Sequence, residues 1–424
     1  MLLFLFLLPW QTRLIWHAGQ LNGGYWEYGT FSFYGSEILL WMIIILFAVH
    51  LFWKKKFWSE ITTKEHFKTH RINLLIGFAV LAFMALLIEH SLDWDVSYNF
   101  VFHILEAFCI FVILLNFENK NRLLPALWLG GVVQGLLATQ QFLIQSVFAS
   151  KWLGMAGQTA KDLGASVVEF GDQRWLRAYG SFGSPNSLGI YLAMLLVIGV
   201  ILYINEDRPL FKIFFMVGQI FILSGLLFSF SRGAMLSAAA GILSLFLILL
   251  KKEKNKIQFF ARQIFMFVLF SGFLMAIFFP VFTARLNLNN RLEQQSVSER
   301  GAQYGEAMNI LNNHILLGVG PGAFTLALFR ENTSLQAWQY QPVHNIYLLM
   351  LSEIGLIGAV LLFILFVQMF ERIIKNNPVF IPVIVTLILA GIFDHWLWSM
   401  YTGLIFWWVI WGMGMENKQG GQPS

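Results

Sequence analysis

Cysteine and charged residues are scarce in this chain of 424 residues. The single cysteine, Cys109, excludes a disulfide within the chain and a cysteine-based metal site. Charged residues make up 12% of the sequence and hydrophobic residues 58%, which is not the composition of an ordinary soluble domain. No Walker-type phosphate-binding string is present, and no cluster of aspartates with metal-ligand spacing occurs in the polar loops. We therefore expect no nucleotide hydrolysis, no metal and no other cofactor.

Long apolar runs dominate the sequence, and each is long enough to cross a bilayer as an α-helix of about 20 residues. The run 211–250 is twice that length, so it is expected to fold back at Phe230-Ser231-Arg232-Gly233. The first run has no basic start and no small-residue cleavage site, so we interpret it as a helix and not as a signal peptide. The fold class expected is an all-α integral membrane protein, with one polytopic domain over residues 1–424. The predicted spans are 2–17, 36–53, 73–89, 98–116, 123–148, 186–204, 210–230, 232–250, 258–282, 344–369, 378–393 and 400–415, twelve in all.

Basic residues concentrate in alternate loops and predict the orientation. The loops on one side, together with Lys418, hold 18 of the 28 Lys and Arg residues, beginning with the basic loop 54–71. Because cytoplasmic loops of membrane proteins carry this excess, twelve spans place both termini in the cytoplasm. The polar segments 149–185, which we expect to be partly helical at best, and 283–343 then lie outside. The net charge of +5 follows from this bias, so nucleic-acid binding is not expected.

Two arginines, Arg232 and Arg300, are predicted at helix N-termini, where a cation opposes the helix dipole. Ser231 is a suitable cap before Arg232, and Ser296-Val297-Ser298-Glu299 is typical of a capping box that opens a helix over 297–312. The position becomes favourable when an anion binds, because helix amides and guanidinium groups both contact phosphate oxygens. The structural alternatives are an arginine that reaches lipid headgroups or a salt bridge with a nearby glutamate. Two such arginines on one side favour a diphosphate site.

Two glycine-rich strings flank the middle of the chain, GSFGSPNSLG from Gly180 to Gly189 and GVGPGAF from Gly318 to Phe324. Their residues are either ordinary turn formers or a backbone surface that approaches a ligand closely. Ser184-Pro185-Asn186 predicts the start of a helix. The expected substrate contacts in and near these strings are Arg177, Asn186, Gly320 and Gly322.

Four glutamines interrupt the fifth apolar run: Gln134, Gln140, Gln141 and Gln145. We expect them either to form interhelical hydrogen bonds or to line a groove for lipid or glycan.

His344 stands at the predicted start of the tenth span. A lone histidine near a membrane interface can be structural, but a helix N-terminus favours the neutral imidazole, which is the form that accepts a proton. A neutral histidine and two arginines would suit attack on a sugar attached to a diphosphate. The histidine would remove the acceptor's proton while the arginines stabilise the departing anion without a metal. Asp394 and His395 are either a second functional pair or partners in a simple hydrogen bond, and the hydrogen bond is the favoured interpretation.

These strings resemble the O-antigen ligase and polymerase superfamily of bacterial envelope enzymes. The resemblance is carried by FSFSRGAML (Phe228 to Leu236), YGSFGSPNSLG (Tyr179 to Gly189), the Arg300 helix, GVGPGAF, and VHNIYLLMLSEIGLIG (Val343 to Gly358). It implies a metal-independent, inverting glycosyltransferase of the bacterial inner membrane. The donor would be a glycan on undecaprenyl diphosphate and the acceptor lipid A core oligosaccharide, on the periplasmic face, in lipopolysaccharide biosynthesis.

The resemblance also assigns roles to matched positions. It implies that Arg232 and Arg300 bind the diphosphate and that His344 activates the acceptor, within a catalytic periplasmic loop 283–343. Asn345, in the same histidine-asparagine string, is expected to contact substrate.

Several other functions stay open at this stage. A polymerase would use the same carrier with a second carrier-linked glycan as acceptor, and related ligases modify proteins or teichoic-type polymers. A lipid-linked glycan transporter predicts charges along a path through the membrane, whereas the candidate groups here lie on one predicted side. A purely structural membrane protein would leave the long polar segment and its arginines without a role.

Overall fold

A computed structural model describes residues 1–53, 65–117, 120–287 and 289–415 of the chain. Most of the predicted basic loop 54–71, and Lys418, lie outside these residues. The described chain is dominated by α-helices, as the apolar runs predict. The α-helices are α1 (Leu2–Leu7), α2 (Gly35–Trp53), α3 (Glu65–Ile88), α4 (Trp94–Leu115), α5 (Leu124–Ile144), α6 (Pro185–Asn205), α7 (Pro209–Phe228), α8 (Arg232–Lys252), α9 (Ile257–Ile277), α10 (Phe279–Leu286), α11 (Arg291–Asn313), α12 (Phe324–Glu331), α13 (Ile346–Asn376), α14 (Ile381–Phe393), α15 (Trp396–Ser399) and α16 (Tyr401–Gly414).

Eight helices in the described ranges are long and apolar enough to cross a membrane, which supports the membrane class. They are His70–Ile88, Trp94–Leu115, Lys120–Ile144, Pro185–Asn205, Pro209–Phe228, Arg232–Lys252, Lys254–Ile277 and Ile346–Asn376.

The remaining predicted spans coincide with shorter helices, so the count of twelve stays a prediction. Two of them are the apolar helices Gly35–Leu51 and Pro378–Phe393, and a third is α16. The first run contains the six-residue α1, which ends before Pro9, and a strand over Arg13–His17, so the prediction of one helix over 2–17 is wrong. A proline disfavours helical geometry in the residue before it, which limits how far α1 can extend.

Short strands form four two-stranded antiparallel sheets among the described residues. The segment 149–185, expected to be partly helical at best, instead contributes hairpin strands. In one hairpin Val167 pairs with Leu176, and the turn places Gly171 at φ +55°. The strands are β1 (Arg13–His17), β2 (Gln20–Leu21), β3 (Gly24–Tyr25), β4 (Phe31–Tyr34), β5 (Ser146–Val147), β6 (Gln158–Thr159), β7 (Val167–Phe170) and β8 (Gln173–Leu176).

The chain divides into two compact units. Unit 1 comprises the described residues within Met1–Thr12, Asn121–Arg300 and Val379–Phe393. Unit 2 comprises those within Arg13–Lys120, Gly301–Pro378 and Asp394–Ser424. The expectation of a single polytopic domain stays a prediction.

Unit 1 is built around α6, which is almost entirely buried among α5, α7, α8 and α14. Small residues permit these helices to pack closely. A side chain at Gly135 of α5 would collide with the backbone of Phe221 on α7, and one at Gly241 of α8 would collide with Thr386 on α14. A side chain at Gly189 would likewise meet Ser231, so this glycine brings α6 against the turn between α7 and α8.

In unit 2, α4 packs against α16 and α2, and α3 packs against α13. Gly355 interrupts α13 with φ +65°. A side chain there would lie 2.2 Å from the carbonyl oxygen of Leu316. This close approach fixes the segment that leads into the GVGPGAF string.

Candidate functional site

The turn between α7 and α8 holds Arg232 as the first residue of α8, which confirms the predicted position at a helix N-terminus. Ser231 occupies the cap position as expected, but its side chain makes no capping hydrogen bond. Phe230 has φ +49°, a backbone conformation that is uncommon for residues other than glycine. The turn is therefore a constrained backbone segment, and its carbonyl groups are held by two other arginines.

Arg177 is the first of these arginines. Its Nε donates to the carbonyl of Ser229 at 2.8 Å, and its Nη2 donates to Oδ1 of Asn186 at 2.8 Å. The guanidinium group is buried, with the residue 8% exposed. Arg177 and Asn186, both expected to contact substrate, are therefore also bound to each other and to the turn.

Arg285 is the second arginine, and it was not singled out by the sequence. Its Nε donates to the carbonyl of Phe230 at 3.1 Å, and its Nη1 bonds the carboxylate of Glu293. The other oxygen of Glu293 lies 2.7 Å from Nη2 of Arg232. One buried carboxylate thus links two arginines and leaves both partly available to another anion.

Arg300 lies in the third turn of α11 and not at its N-terminus, because α11 begins at Arg291. The predicted helix start at the capping box is therefore wrong. In the described part of the chain, neither Glu299 nor Glu306 forms a salt bridge with Arg300. Glu299 instead accepts a hydrogen bond from Gln295.

The arginine cluster, defined as Arg177, Arg232, Arg285 and Arg300 with Glu293, carries excess positive charge. Burial, together with the charges of Arg285 and Arg300, lowers the pKa of Arg177 to about 9. Burial also lowers the pKa of Arg285; the carboxylate of Glu293 opposes this shift, while the charges of Arg232 and Arg300 add to it. Four guanidinium groups and one carboxylate leave an electrostatic demand that a bound polyanion would satisfy.

Two of the four glutamines hold the backbone beside Arg177. Gln141 Oε1 accepts the N–H groups of Tyr179 and Gly180, and its Nε2 donates to the Gly180 carbonyl. Gln134 bonds both the N–H and the hydroxyl of Ser181. These buried amides therefore position a turn, which differs from both expected roles.

The histidine cluster, His344 with Asp394, His395 and Ser399, lies in unit 2. Nδ1 of His344 is 3.2 Å from Oδ2 of Asp394, and Oδ1 of Asp394 accepts the N–H of Trp396 at 2.9 Å. Nδ1 of His395 faces the Ser399 hydroxyl at 2.6 Å. The hydrogen bond expected between Asp394 and His395 is thus replaced by one between Asp394 and His344. This is the contact that orients a general base.

Burial and neighbouring groups shift the pKa values of Asp394 and His395 in this cluster. Although burial opposes ionisation, the hydrogen bond from His344 and the two imidazoles hold the pKa of Asp394 well below its usual range. Burial lowers the pKa of His395 to about 4, against the attraction of Asp394. An ionised Asp394 therefore faces Nδ1 of His344 at neutral pH and favours the tautomer whose Nε2 can accept a proton.

His344, Asp394 and His395 could also hold a metal ion, since their ligand atoms lie within 4.8 Å of one another. Nδ1 of each histidine and both carboxylate oxygens of Asp394, however, are engaged in the hydrogen bonds just described. We therefore interpret the group as a hydrogen-bonded base.

Asn345 is the N-cap of α13, and its Oδ1 accepts the N–H groups of Tyr347 and Leu348. His344 is the residue immediately before this cap, close to the predicted start of the helix. The Asn345 amide also donates to the Tyr304 hydroxyl at 3.3 Å. Capping therefore accounts for the Asn345 oxygen, and only its amide group is left for a substrate contact.

The GVGPGAF string forms a turn in which Gly318, Gly320 and Gly322 all have positive φ. Its backbone is tied to α13, because the N–H of Gly320 donates to the carbonyl of Glu353. A side chain at Gly320 would lie 2.2 Å from Ser91 Oγ, so the glycine is required for packing. These contacts explain the string structurally, and the substrate role of Gly320 and Gly322 stays a prediction.

The predicted site residues fall into two sets. Unit 1 brings Arg177, Asn186, Arg232 and Arg300 to the arginine cluster, and unit 2 contains Gly320, Gly322, His344 and Asn345. Sequence reasoning missed Arg285 and Glu293, and it gave Asp394 the wrong partner. A signal for the first two was available, because both belong to the polar segment next to the predicted Arg300 helix.

The fold and these clusters define a polytopic helical membrane protein with an anion-suited arginine cluster and an aspartate-oriented histidine. Residues 217–363 match the family model described as O-Antigen ligase. This match confirms the resemblance to the O-antigen ligase superfamily noted from the sequence. The matched region includes Arg232, Arg285, Glu293, Arg300 and His344. A comparison with curated proteins gives no match.

Proposed function

We propose that this chain transfers a glycan from an undecaprenyl-diphosphate carrier to an acceptor hydroxyl by a metal-independent, inverting reaction. Lipid A core oligosaccharide is the acceptor proposed. The observation that carries the proposal is the arginine cluster, in which four guanidinium groups are accompanied by only one carboxylate, that of Glu293. The family match supports a ligase or polymerase type of reaction in general.

The role proposed for the arginine cluster is binding of the donor diphosphate. Arg232 and Arg300 contact phosphate oxygens, and Arg285 shares this task, since it already bonds a carboxylate. Arg177 holds the turn that carries Arg232. As the bond between the anomeric carbon and the diphosphate breaks, negative charge grows on the leaving group, and nearby guanidinium groups stabilise it.

The role proposed for His344 is removal of the acceptor proton. The acceptor oxygen forms a bond to the anomeric carbon, and its proton moves to Nε2 of His344. Asp394 stabilises the imidazolium that results, because its carboxylate faces Nδ1. Attack opposite the leaving diphosphate inverts the configuration. The proton then passes from His344 to solvent or to the released diphosphate, which returns His344 to its neutral form.

The family resemblance implies a location in the bacterial inner membrane, and the basic-residue bias supports an orientation with both termini cytoplasmic and the reacting groups periplasmic. The segments 149–185 and 283–343, which we propose as periplasmic, supply Arg177, Arg285 and Arg300.

The test offers purified full-length protein in liposomes one carrier-linked glycan donor and two separate acceptors. Transfer to lipid A core oligosaccharide supports the ligase. Growth of a chain on a carrier-linked repeat unit replaces it with a polymerase, which shares the donor chemistry. Transfer to neither acceptor, while the donor is shown to bind, contradicts the proposed acceptors. An Arg232→Gln control identifies transfer that depends on the arginine cluster.

A further inference from the structure

A second group of titratable side chains lies buried in unit 2 and has no part in the chemistry above. Glu37 is in the first turn of α2, while His103 and Glu106 lie three residues apart on α4. That spacing places both side chains on one helix face. Glu37 and Glu106 are 2% and 1% exposed, and ligand atoms of all three side chains lie within 4.8 Å of one another.

The hydrogen bonds of these carboxylates leave one oxygen without a donor. Glu37 Oε2 accepts the N–H of Tyr34 at 3.0 Å, and Glu106 Oε1 accepts Nε1 of Trp41 at 2.5 Å. Glu106 Oε2 is fully buried and accepts no hydrogen bond from an N–H or hydroxyl group among the described residues, and the carboxyl group of Glu37 is the neighbour of the Glu106 side chain. A buried carboxylate oxygen without a donor or a cation is costly, so this atom requires a further partner.

No arginine or lysine supplies that partner in the described part of the chain. Neither Glu37 nor Glu106 forms a salt bridge there, and Arg13, the basic residue that lines the adjacent cavity, is paired with Glu27. The two acids therefore face each other with only the imidazole of His103 beside them. Two adjacent buried carboxylates are stable only when a proton or a cation compensates their charge.

A small polar cavity borders this group at His103, and neither Glu37 nor Glu106 is among its lining residues. It has a volume of about 70 Å³, and its walls include His103, Tyr34 and Tyr401. This space is large enough for water, which can supply further ligands to an ion. The cavity lies entirely among residues of unit 2.

We propose that Glu37, His103 and Glu106 bind one divalent transition-metal cation of the Zn²⁺ or Mn²⁺ type. Two carboxylate oxygens and one imidazole nitrogen form a donor set that such ions accept, and cavity water completes the coordination. Glu106 Oε2 is the oxygen assigned to the ion.

The role of this ion is structural. It joins the start of α2 to the middle of α4, and no step of glycan transfer is assigned to it. The sequence pointed to no metal because Glu37 is far from Glu106 in the chain. His103 and Glu106, spaced three apart within an apolar helix, were the available signal.

The test measures metal in the purified full-length protein by elemental mass spectrometry after exhaustive dialysis. The wild type is expected to retain one Zn²⁺ or Mn²⁺ per chain. Glu106→Gln keeps the shape of the side chain and is expected to weaken metal affinity by at least about tenfold. Glu353→Gln is the matched control, because Glu353 is also a buried carboxylate of unit 2 and borders the same cavity, but it is not one of the three proposed ligands. This variant should retain the metal.

A second measurement tests the site even if Glu106→Gln fails to fold, because it uses only the wild-type protein. Wild-type protein stripped with a chelator is titrated with Zn²⁺ and, separately, Mn²⁺, while its thermal midpoint is followed. A saturable rise with one equivalent of either ion supports the site. Absence of bound metal with no response to either ion overturns it. An infrared band of a protonated carboxylic acid that disappears in Glu106→Gln would also overturn the site. It would show that a proton shared by the two acids, and not a metal ion, compensates their charge. Failure here leaves the transfer assay unaffected.

Discussion

Replacing Asp394 with asparagine should reverse the tautomer of His344 without changing the shape of the cluster. Oδ1 of Asp394 accepts the N–H of Trp396 at 2.9 Å, and an asparagine retains this bond only with its own oxygen. Its amide group then faces Nδ1 of His344, where the carboxylate lay at 3.2 Å. Nδ1 becomes the acceptor, and the proton moves to Nε2, the atom that must accept the acceptor's proton.

The expected loss is that of general-base catalysis, about 10²- to 10⁴-fold in kcat, with little change in KM. Purified protein in liposomes is assayed for glycan transfer at saturating donor, with acceptor concentration varied. His344→Ala should lose a similar factor, and the double variant should lose little more, because the two residues act as one unit. Asp207→Asn, at an exposed acid, is the control and should keep the wild-type rate. Full activity of Asp394→Asn, or losses that multiply in the double variant, would refute the assignment.

Three further predictions concern charge, pH and backbone geometry. Arg232→Gln should lower kcat/KM for the donor by about 10- to 100-fold, because a charge-assisted bond to phosphate contributes about 1.5–3 kcal/mol. Steady-state assays measure this value, with Arg208→Gln as an exposed control. An unchanged kcat/KM in Arg232→Gln contradicts the prediction. The pKa of His395 is about 4 when folded and 6.5 as its ordinary value, so the unfolded chain binds the extra proton first on acidification. Stability should therefore fall as pH drops from 6.5 towards 4, by up to about 1.4 kcal/mol per pH unit. Thermal midpoints in detergent at pH 7 and pH 5 test this against His395→Gln, which should flatten the dependence; an equal dependence in both proteins is the opposing result. Gly355→Ala should destabilise the fold by at least about 1–3 kcal/mol, since its φ is +65° and a side chain would strike Leu316. Gly301→Ala, with open space around it, should not, and equal midpoints for the two variants would argue against the strain.

The membrane helices could be predicted because hydrophobicity is a local property of the sequence. The turn at Ser231 and the helix start at Ser184-Pro185 were likewise visible, since both depend on residues within a few positions. The start of α11 could not be placed by the same rule. Glu293, in its first turn, bonds arginines from two other elements, and these tertiary contacts accompany a helix start upstream of the capping box.

The candidate site shows the same division. Arg232 was predictable because a cation at a helix start is locally unfavourable and calls for an anion. Its link to Arg285 through Glu293 depends on how α8, α10 and α11 pack, which no short motif encodes. The bond between His344 and Asp394 joins residues fifty positions apart, so sequence spacing offered His395 as the nearer partner.

The central claim is that the chain breaks a bond between a glycan and a carrier diphosphate while joining that glycan to an acceptor. The most direct measurement follows both products together, with purified full-length protein and a donor labelled in its carrier and in its glycan. Undecaprenyl diphosphate and glycosylated acceptor are expected to form in equal amounts, and the new bond is expected to have inverted configuration. His344→Ala should suppress both products. Product glycan without released undecaprenyl diphosphate, or equal activity of His344→Ala and wild type, would contradict the central claim.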